Sequence, residues 1–134
     1  MLFTLVTPQK KLLADVEADE IILPAFRGQL NILPGHAPLM TTLRPGMLKV
    51  KLKGETKFKS AAISWGYCEI GSGGVNVLAD TAEWPENIDK KRVEEQLKIA
   101  QQRLQDAGLS PDAHIEAQRK LEKEVARLSI LDEK

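Results

Sequence analysis

Side chains able to act as a nucleophile or a general base are few in this sequence. It contains two histidines, His36 and His114, and a single cysteine, Cys68. Ser64 and Cys68 have no histidine beside them in the sequence, and no Gly-x-Ser-x-Gly segment is present. One cysteine and two distant histidines also lack the spacing of a metal-binding set. We therefore expect no catalytic residues and no metal site, with a small enzyme built around His36, Ser64 or Cys68 as an alternative.

Charged residues in the last third of the chain have the spacing of an anion-binding cluster. Asp89 and Arg92 lie at the start of a predicted helix, on neighbouring positions of one face. Arg119, Lys123 and Arg127 follow each other at intervals of four residues on a second predicted helix. Because guanidinium groups hold phosphate oxygens in a fork, Arg92, Lys123 and Arg127 would suit a triphosphate if the helices run antiparallel. The alternative is a solvated face on which these cations pair with glutamates of their own helices.

The residues after Trp84-Pro85 predict the antiparallel helical hairpin that this cluster requires. Apolar side chains recur there at intervals of three and four residues, which is typical of helices with one apolar face. The two stripes are Val93, Leu97, Ala100, Leu104, Ala107 and Ala117, Leu121, Val125, Leu128, Leu131. Gly108 is predicted to cap the first helix in a left-handed conformation, and Ser110-Pro111 to start the second. Since several stripe residues are alanines, the hairpin should need to dock on the rest of the chain or on another protein.

The residues before Trp84 predict an antiparallel β-sandwich of six to ten short strands. Residues 47–53 alternate apolar side chains with lysines, the pattern of a half-buried strand, and Gly54-Glu55 should turn the chain into a partner strand at 56–60. Further strands are predicted at 3–7, 12–16, 19–23, 30–33, 61–70 and 75–79. The predicted fold class is therefore α+β, with a β-sandwich domain over residues 1–84 and a helical hairpin domain over residues 85–134.

Composition excludes several classes of partner. Nineteen Lys and Arg residues balance nineteen Asp and Glu residues, so the chain has no overall positive field to attract nucleic acid. Its apolar runs are about five residues long, whereas a membrane-spanning helix needs about 20, so no direct membrane insertion is expected. The N-terminus lacks the pattern of a secretory signal, and one cysteine cannot form an internal disulfide. A cytoplasmic location is expected.

Residues 23–50 resemble the epsilon subunit of bacterial F-type ATP synthase. The most specific part is residues 32–39, which read ILPGHAPL. The segments SWGYCEI at 64–70, VNVLADTAE at 75–83 and NIDKKR at 87–92 are similar to the same family in order and spacing. The resemblance covers the whole chain, although Trp65 stands where the family usually has glycine.

The resemblance implies a sandwich of ten strands and two helices that form part of the central stalk. The sandwich would bind the gamma subunit and rest on the c-ring, coupling proton translocation to ATP synthesis at the cytoplasmic face of the bacterial membrane. The helices would permit ATP hydrolysis when compact against the sandwich. They would restrain it when extended toward the alpha and beta catalytic subunits. The subunit itself would not be an enzyme and would require no cofactor.

The resemblance also implies site residues. His36 matches the loop that faces the c-ring, and Gln29 stands at a c-ring contact position that is often acidic in the family. A motif that senses ATP in some bacilli matches at Ile88, Asp89 and Arg92, with Val93 in place of its alanine. The predicted set for ATP as a regulatory ligand is Ile88, Asp89, Arg92, Lys123 and Arg127. A free-standing ATP-sensing regulatory module is the alternative function.

Overall fold

In the computed structural model, which describes residues 1–132, nine β-strands precede two α-helices. The strands are β1 (Leu2–Val6), β2 (Lys11–Ala25), β3 (Gly28–Ile32), β4 (Leu39–Leu43), β5 (Gly46–Leu52), β6 (Lys59–Ile63), β7 (Gly66–Gly71), β8 (Gly74–Ala79) and β9 (Ala82–Glu83). A 3-10 turn at Pro85–Asn87 leads into α1 (Lys90–Leu104) and α2 (Pro111–Asp132). The predicted α+β class is confirmed. Residues 133–134 of the predicted helical domain lie outside the described residues.

The sheet closes on itself around the long strand β2. Hydrogen-bonded neighbours follow the order β1-β8-β7-β4-β2-β5-β6-β9, with β3 paired to β2 and β1 paired to β2 as well as to β8. The β1–β8 pair is parallel, whereas the neighbours of β2 are antiparallel to it. Because different parts of β2 pair with β1, β3, β4 and β5, this strand links the two sides of the sandwich.

The sandwich encloses a core of large apolar side chains. Its largest fully buried members are Phe3, Leu5, Ile21, Leu23, Ile32, Leu48, Val50, Ile63 and Val77. In β5, Leu48 and Val50 are buried while Lys49 and Lys51 are half-buried on the other face, as the period-two pattern predicts. The hairpin predicted around Gly54 forms between β5 and β6, and Gly54 has a φ of 84° that favours glycine.

Three strand predictions differ from the structure. The segments predicted separately at 12–16 and 19–23 belong to the single strand β2, which stays continuous through shifts of register opposite β1 and β5. The segment predicted as one strand at 61–70 is divided between β6 and β7, because Ser64 and Trp65 turn the chain there. Gly66 then passes so close to β8 that a Cβ on it would lie 2.8 Å from the Cα of Ala79. Strands β4 and β9 were not predicted.

The helix starts are as predicted, but the end of α1 is not. The Ser110 Oγ accepts a hydrogen bond from the Ala113 amide at 3.2 Å, and the Asp89 Oδ1 accepts one from the Arg92 amide at 3.3 Å. Helix α1 ends at Leu104, ahead of the predicted cap at Gly108, which does not have a left-handed φ. The Asp106 side chain stabilises this turn by accepting a hydrogen bond from the Gly108 amide at 2.9 Å.

The hairpin docks on the sandwich through α2. This helix lies against β5 and β6, while α1 packs mainly on α2. On β6, Ala62 is buried on the face opposite the core residues Ala61 and Ile63, so it lies beneath α2. The buried α2 residues are Ala117, Glu124, Ala126 and Ile130. Two of these four buried residues are alanines, and the other two are an isoleucine and a carboxylate.

Candidate functional site

Four of the five residues predicted to bind ATP line one hollow of about 190 Å³. Ile88 and Asp89 precede α1, Arg92 lies in its first turn, and Arg127 comes from the last third of α2. Asp89 caps α1 and thereby fixes the position of Arg92 relative to the hollow. The antiparallel hairpin thus brings together residues that are far apart in the sequence.

Lys123 lies in a different hollow. Lys120, which lies about one turn earlier on α2, lines both hollows, whereas Lys123 lines the second one. The second hollow, of about 620 Å³, is lined by Lys123 together with Trp65, Asp80 and other residues of both helices. Burial is the main reason that the pKa of Lys123 is lowered from its usual value, and the positive charge of Arg127 adds to the effect.

The Arg127 guanidinium in the first hollow is engaged by two glutamates. Its Nε donates to the Glu83 Oε1 at 2.8 Å, its Nη2 also donates to Glu83, and its Nη1 donates to the Glu124 Oε1 at 2.6 Å. The Lys120 ammonium lies 3.2 Å from the same oxygen of Glu124, which is fully buried. Glu83 is on β9, so Arg127 connects α2 to the sandwich. The two glutamates satisfy Arg127 as charge-assisted hydrogen-bond partners.

Charge and size restrict what this hollow can accept in the docked arrangement. Three acidic side chains and three basic ones line it, so its formal charges cancel. The acidic ones are Glu83, Asp89 and Glu124, and the basic ones are Arg92, Lys120 and Arg127. Its volume is below the roughly 300 Å³ at which sites for drug-sized ligands begin. A phosphate group would therefore have to take the place of Glu83 at Arg127.

Gln29 and His36, the two predicted c-ring contacts, lie at opposite ends of β3. Gln29 pairs with Pro24 in the sheet and lines a hollow of about 650 Å³ between the sandwich and α2. His36 lies in the turn after β3, beside the glycine-rich connection between β7 and β8. The His36 Nδ1 is 2.7 Å from the carbonyl oxygen of Ala37, which accepts its hydrogen bond. The structure thus does not bring these two residues together.

Ser64 and Cys68 both have structural roles. The buried Ser64 Oγ accepts hydrogen bonds from the amide and the hydroxyl of Thr81, at 2.9 and 2.8 Å. Cys68 is fully buried in the core, and burial raises the pKa of its thiol to about 12. Within residues 1–132 no group of three His, Cys, Asp or Glu side chains is placed to hold a metal ion.

Sequence reasoning missed two contacts between the hairpin and the sandwich. One is the Arg127–Glu83 ion pair, whose partners are too distant in the sequence for any local pattern to connect them. The other is the Arg119 guanidinium, which lies 4.3 Å from the centroid of the Trp65 ring. The departure of Trp65 from the usual glycine was the available signal for this second contact.

The fold and these contacts describe a protein of two parts, a β-sandwich and a helical hairpin that packs on it. The β-sandwich domain of the ATP synthase delta/epsilon chain matches residues 1–85, and the long α-helix domain of the same chain matches residues 86–132. The chain therefore belongs to the ATP synthase delta/epsilon chain family. This confirms the predicted family, and with it the expectation of a non-catalytic subunit.

Relatives named ATP synthase epsilon chain agree with this membership. The chain is 47% identical over 119 residues to the ATP synthase epsilon chain of Bdellovibrio bacteriovorus, covering 89% of this chain and 85% of the relative. It is 46% identical over 106 residues to the ATP synthase epsilon chain of Koribacter versatilis, covering 79% and 72% of the two chains.

Solved structures agree in fold. A chain of the Euglena gracilis mitochondrial ATP synthase (OSCP/F1/c-ring) matches with a TM-score of 0.82 at 23% identity, covering 99% of this chain and 79% of that chain. A chain of the central stalk and c-ring of the Tetrahymena thermophila enzyme matches with a TM-score of 0.65 at 18% identity, covering 98% and 96%. Within residues 1–132, no helix combines the length and the hydropathy that crossing a membrane would require.

Proposed function

We propose that this chain is a rotor subunit of an ATP synthase central stalk that couples proton translocation to ATP synthesis. In this proposal the sandwich binds the gamma subunit and the c-ring at the cytoplasmic face of the bacterial membrane, and the hairpin restrains ATP hydrolysis. The observation that carries this proposal is the contrast between a sandwich with a full apolar core and a hairpin that, within the described residues, buries only six side chains, of which three are alanines and one is a glutamate. The relatives' names and the stalk structures of the same fold support the setting.

One exposed face of the sandwich has the features of an interface for a partner subunit. On the paired strands β4 and β7, Met40 is 66% exposed and Tyr67 is 44% exposed on the same face of the sheet. Phe26, which is 64% exposed, lies beside them because its amide donates to the Thr42 carbonyl. Large apolar side chains grouped on a surface are typical of interfaces, and we assign this face to the gamma subunit. The c-ring contact is assigned to the end of the sandwich that carries His36.

The hairpin carries apolar surface that docking leaves uncovered. Ile99 of α1 and Ile115 and Val125 of α2 are each about half exposed in the compact form. A partner that buries these side chains would favour a released hairpin over the docked one, because only its differential contacts shift the equilibrium. In the proposal this partner is formed by gamma and the alpha and beta catalytic subunits, which the extended helices would reach.

Truncation after Pro85 in the assembled enzyme tests the restraint. The shortened chain keeps all the strands of the described sandwich, so we expect it to fold, to be captured with gamma and the c-ring, and to sustain coupling. We expect ATP hydrolysis by that complex to rise above that of the complex with the full chain. Unchanged hydrolysis would reject the restraint and leave the coupling role intact. Failure to capture gamma or the c-ring with the full chain would instead favour a free-standing regulatory module.

We propose in addition that ATP is a regulatory ligand of the hollow at the start of α1. The convergence of Ile88, Asp89, Arg92 and Arg127 supports this role. The Arg92 side chain has no ion-pair partner within residues 1–132, so it is available to a phosphate. ATP that binds only the docked form would, at a hundred times its dissociation constant, favour that form by about 2.7 kcal/mol.

Titration calorimetry with ATP tests this second role. We expect heat of binding with the full chain and its loss in Arg92→Ala. The exposed neighbour Lys91 provides the control, since Lys91→Ala removes a nearby positive charge that does not line the hollow. The absence of heat at millimolar ATP, or an equal loss in both variants, would reject the site.

A further inference from the structure

Arg127 has two carboxylate partners that belong to different parts of the molecule. Glu83 lies on β9 of the sandwich, 44 positions away in the sequence, whereas Glu124 lies one turn earlier on α2 itself. If the hairpin leaves the sandwich, Arg127 and Glu124 move together and their ion pair survives. The bond to Glu83 is broken. The two bonds therefore contribute differently to docking, although they meet at one guanidinium.

We propose that the Glu83–Arg127 pair is a latch that keeps the hairpin docked, and that the buried Glu124 acts against it and weakens docking. This inference rests on the proposed release of the hairpin, and it assigns the residues that set the balance between the two forms. It also makes docking possible without a nucleotide, because a carboxylate of the chain already occupies the place at Arg127 that a phosphate would need.

The geometry of Glu83 is that of a strong, partly shielded ion pair. One of its oxygens accepts hydrogen bonds from two nitrogens of Arg127, and the side chains are only 24% and 19% exposed. Charge-assisted hydrogen bonds of this kind contribute more than neutral ones, and partial burial reduces their screening by salt. Since the pair exists only in the docked form, its whole contribution favours docking.

The position of Glu124 predicts the opposite effect, which is that it disfavours docking. Its side chain is 1% exposed, and its ion-pair partners within residues 1–132, Arg127 and Lys120, are both on α2. These pairs persist in the released hairpin, so they do not distinguish the two forms. What would differ is hydration, because in the docked form the second oxygen of this carboxylate, Oε2, is buried and has no hydrogen-bond partner among the described residues. Burial of a charge is unfavourable unless new partners compensate, and docking supplies Glu124 with none from the described sandwich.

The distance between two spin labels in the isolated full chain reports docking directly. Gln9, in the turn after β1, and Gln102, on α1, are both exposed and serve as cysteine substitution sites. The native Cys68 is buried and should remain unlabelled, since burial also raises its thiol pKa. The docked and released fractions are read from the distance distribution, at a temperature at which the parent populates both forms.

Three single substitutions then separate the roles. Glu83→Gln removes the latch, and we expect the ratio of docked to released chains to fall by roughly tenfold or more. Glu124→Gln removes the buried charge while Arg127 keeps Glu83, and we expect this ratio to rise severalfold. Glu86→Gln is the matched control, because Glu86 is an exposed glutamate of the adjacent 3-10 turn, and it should leave the ratio unchanged.

Arg127→Gln provides a second route to the same answer. It should release the hairpin as Glu83→Gln does. When Glu83→Gln and Arg127→Gln are combined, the ratio of docked to released chains should fall by less than the product of the two single effects, because both substitutions remove the same ion pair. Near-ultraviolet circular dichroism checks that the sandwich of each variant is folded. Equal ratios for Glu83→Gln and Glu86→Gln, or release of the hairpin by Glu124→Gln, would overturn the proposal. Since the truncation experiment reads hydrolysis and this one reads docking, failure of either is distinguishable from failure of the other.

Discussion

The sandwich and the hairpin bury different kinds of side chain. The sandwich core contains Phe3, Ile21 and Leu48 at zero exposure, held by strands that pair across the whole domain. The buried side chains of the described hairpin are three alanines together with Val93, Ile130 and Glu124. Apolar stabilisation grows with the area buried, so the sandwich is stable by itself while the hairpin depends on what it rests against. A sandwich that is stable alone can hold a partner subunit, whereas a hairpin that is not stable alone can change its position.

The largest difference should appear when an isoleucine is truncated in each region. Ile21→Ala removes a fully buried side chain from the sandwich core and should lower the free energy of unfolding by about 2–5 kcal/mol. Ile99→Ala makes the same change on α1, where the side chain is 49% exposed, and should change that free energy by about 0.5 kcal/mol or less. Urea unfolding followed by sandwich fluorescence measures both. Similar losses would contradict the contrast between the regions.

Thiol chemistry gives the next largest effect. With its pKa raised to about 12 from a usual 9.0, the Cys68 thiol should carry roughly a thousandfold less thiolate than an exposed cysteine at pH 8. Iodoacetamide should therefore modify Gln102→Cys on the hairpin rapidly and leave Cys68 intact until the sandwich unfolds. Mass spectrometry of the digested chain separates the two sites. Rapid modification of Cys68 in the folded chain would show that the sandwich opens more readily than its core implies.

The raised pKa of Cys68 also determines how its contribution to the free energy of unfolding changes with pH. Below pH 9 the thiol keeps its proton in both the folded and the unfolded chain, so it contributes nothing to the pH dependence. Between about pH 9 and 12 the unfolded chain loses this proton first and the folded chain retains it. The contribution of Cys68 to the free energy of unfolding should fall across that window, and Cys68→Ala should remove this part of the slope.

The smallest effect concerns the aromatic contact between the regions. Trp65→Ala removes the ring that Arg119 covers, and a cation–π contact at a half-exposed site contributes about 0.5–1 kcal/mol. The docked fraction, read by the spin-label distance, should therefore fall a few fold. Phe58→Ala is the control, because its ring contacts Lys51 within the sandwich. A drop of equal size in both variants would mean that the Trp65 contact is not specific to docking.

Local patterns in the sequence predicted the elements that depend on interactions between residues close in the sequence. The alternation in residues 47–53 predicted β5, and the start of α2 followed from the capping side chain of Ser110. Gly108 was assigned a capping role that the structure does not give it, because α1 ends earlier and Asp106 closes the turn. The local signal for a helix end was present, but a competing side-chain hydrogen bond determined the conformation.

Contacts between segments that are distant in the chain could not be predicted from one sequence. Spacing by four placed Lys123 and Arg127 on one ridge, yet docking turns Arg127 toward Glu83 and leaves Lys123 in the neighbouring hollow. Similarly, Gln29 lies near the start of β3 and His36 lies after its end, so the extended strand keeps them apart. Which side of a helix or which end of a strand faces a given partner is decided by packing, which no local pattern records.

The central claim is that the position of the hairpin decides whether the enzyme hydrolyses ATP. The direct measurement is the distance between labels at Gln9 and Gln102 within the assembled complex, at low ATP, where the proposal expects hydrolysis to be restrained, and at high ATP, where it expects hydrolysis to proceed. We expect the distance of the docked form during hydrolysis and a different distance under restraint. The same docked distance in both conditions would contradict the account.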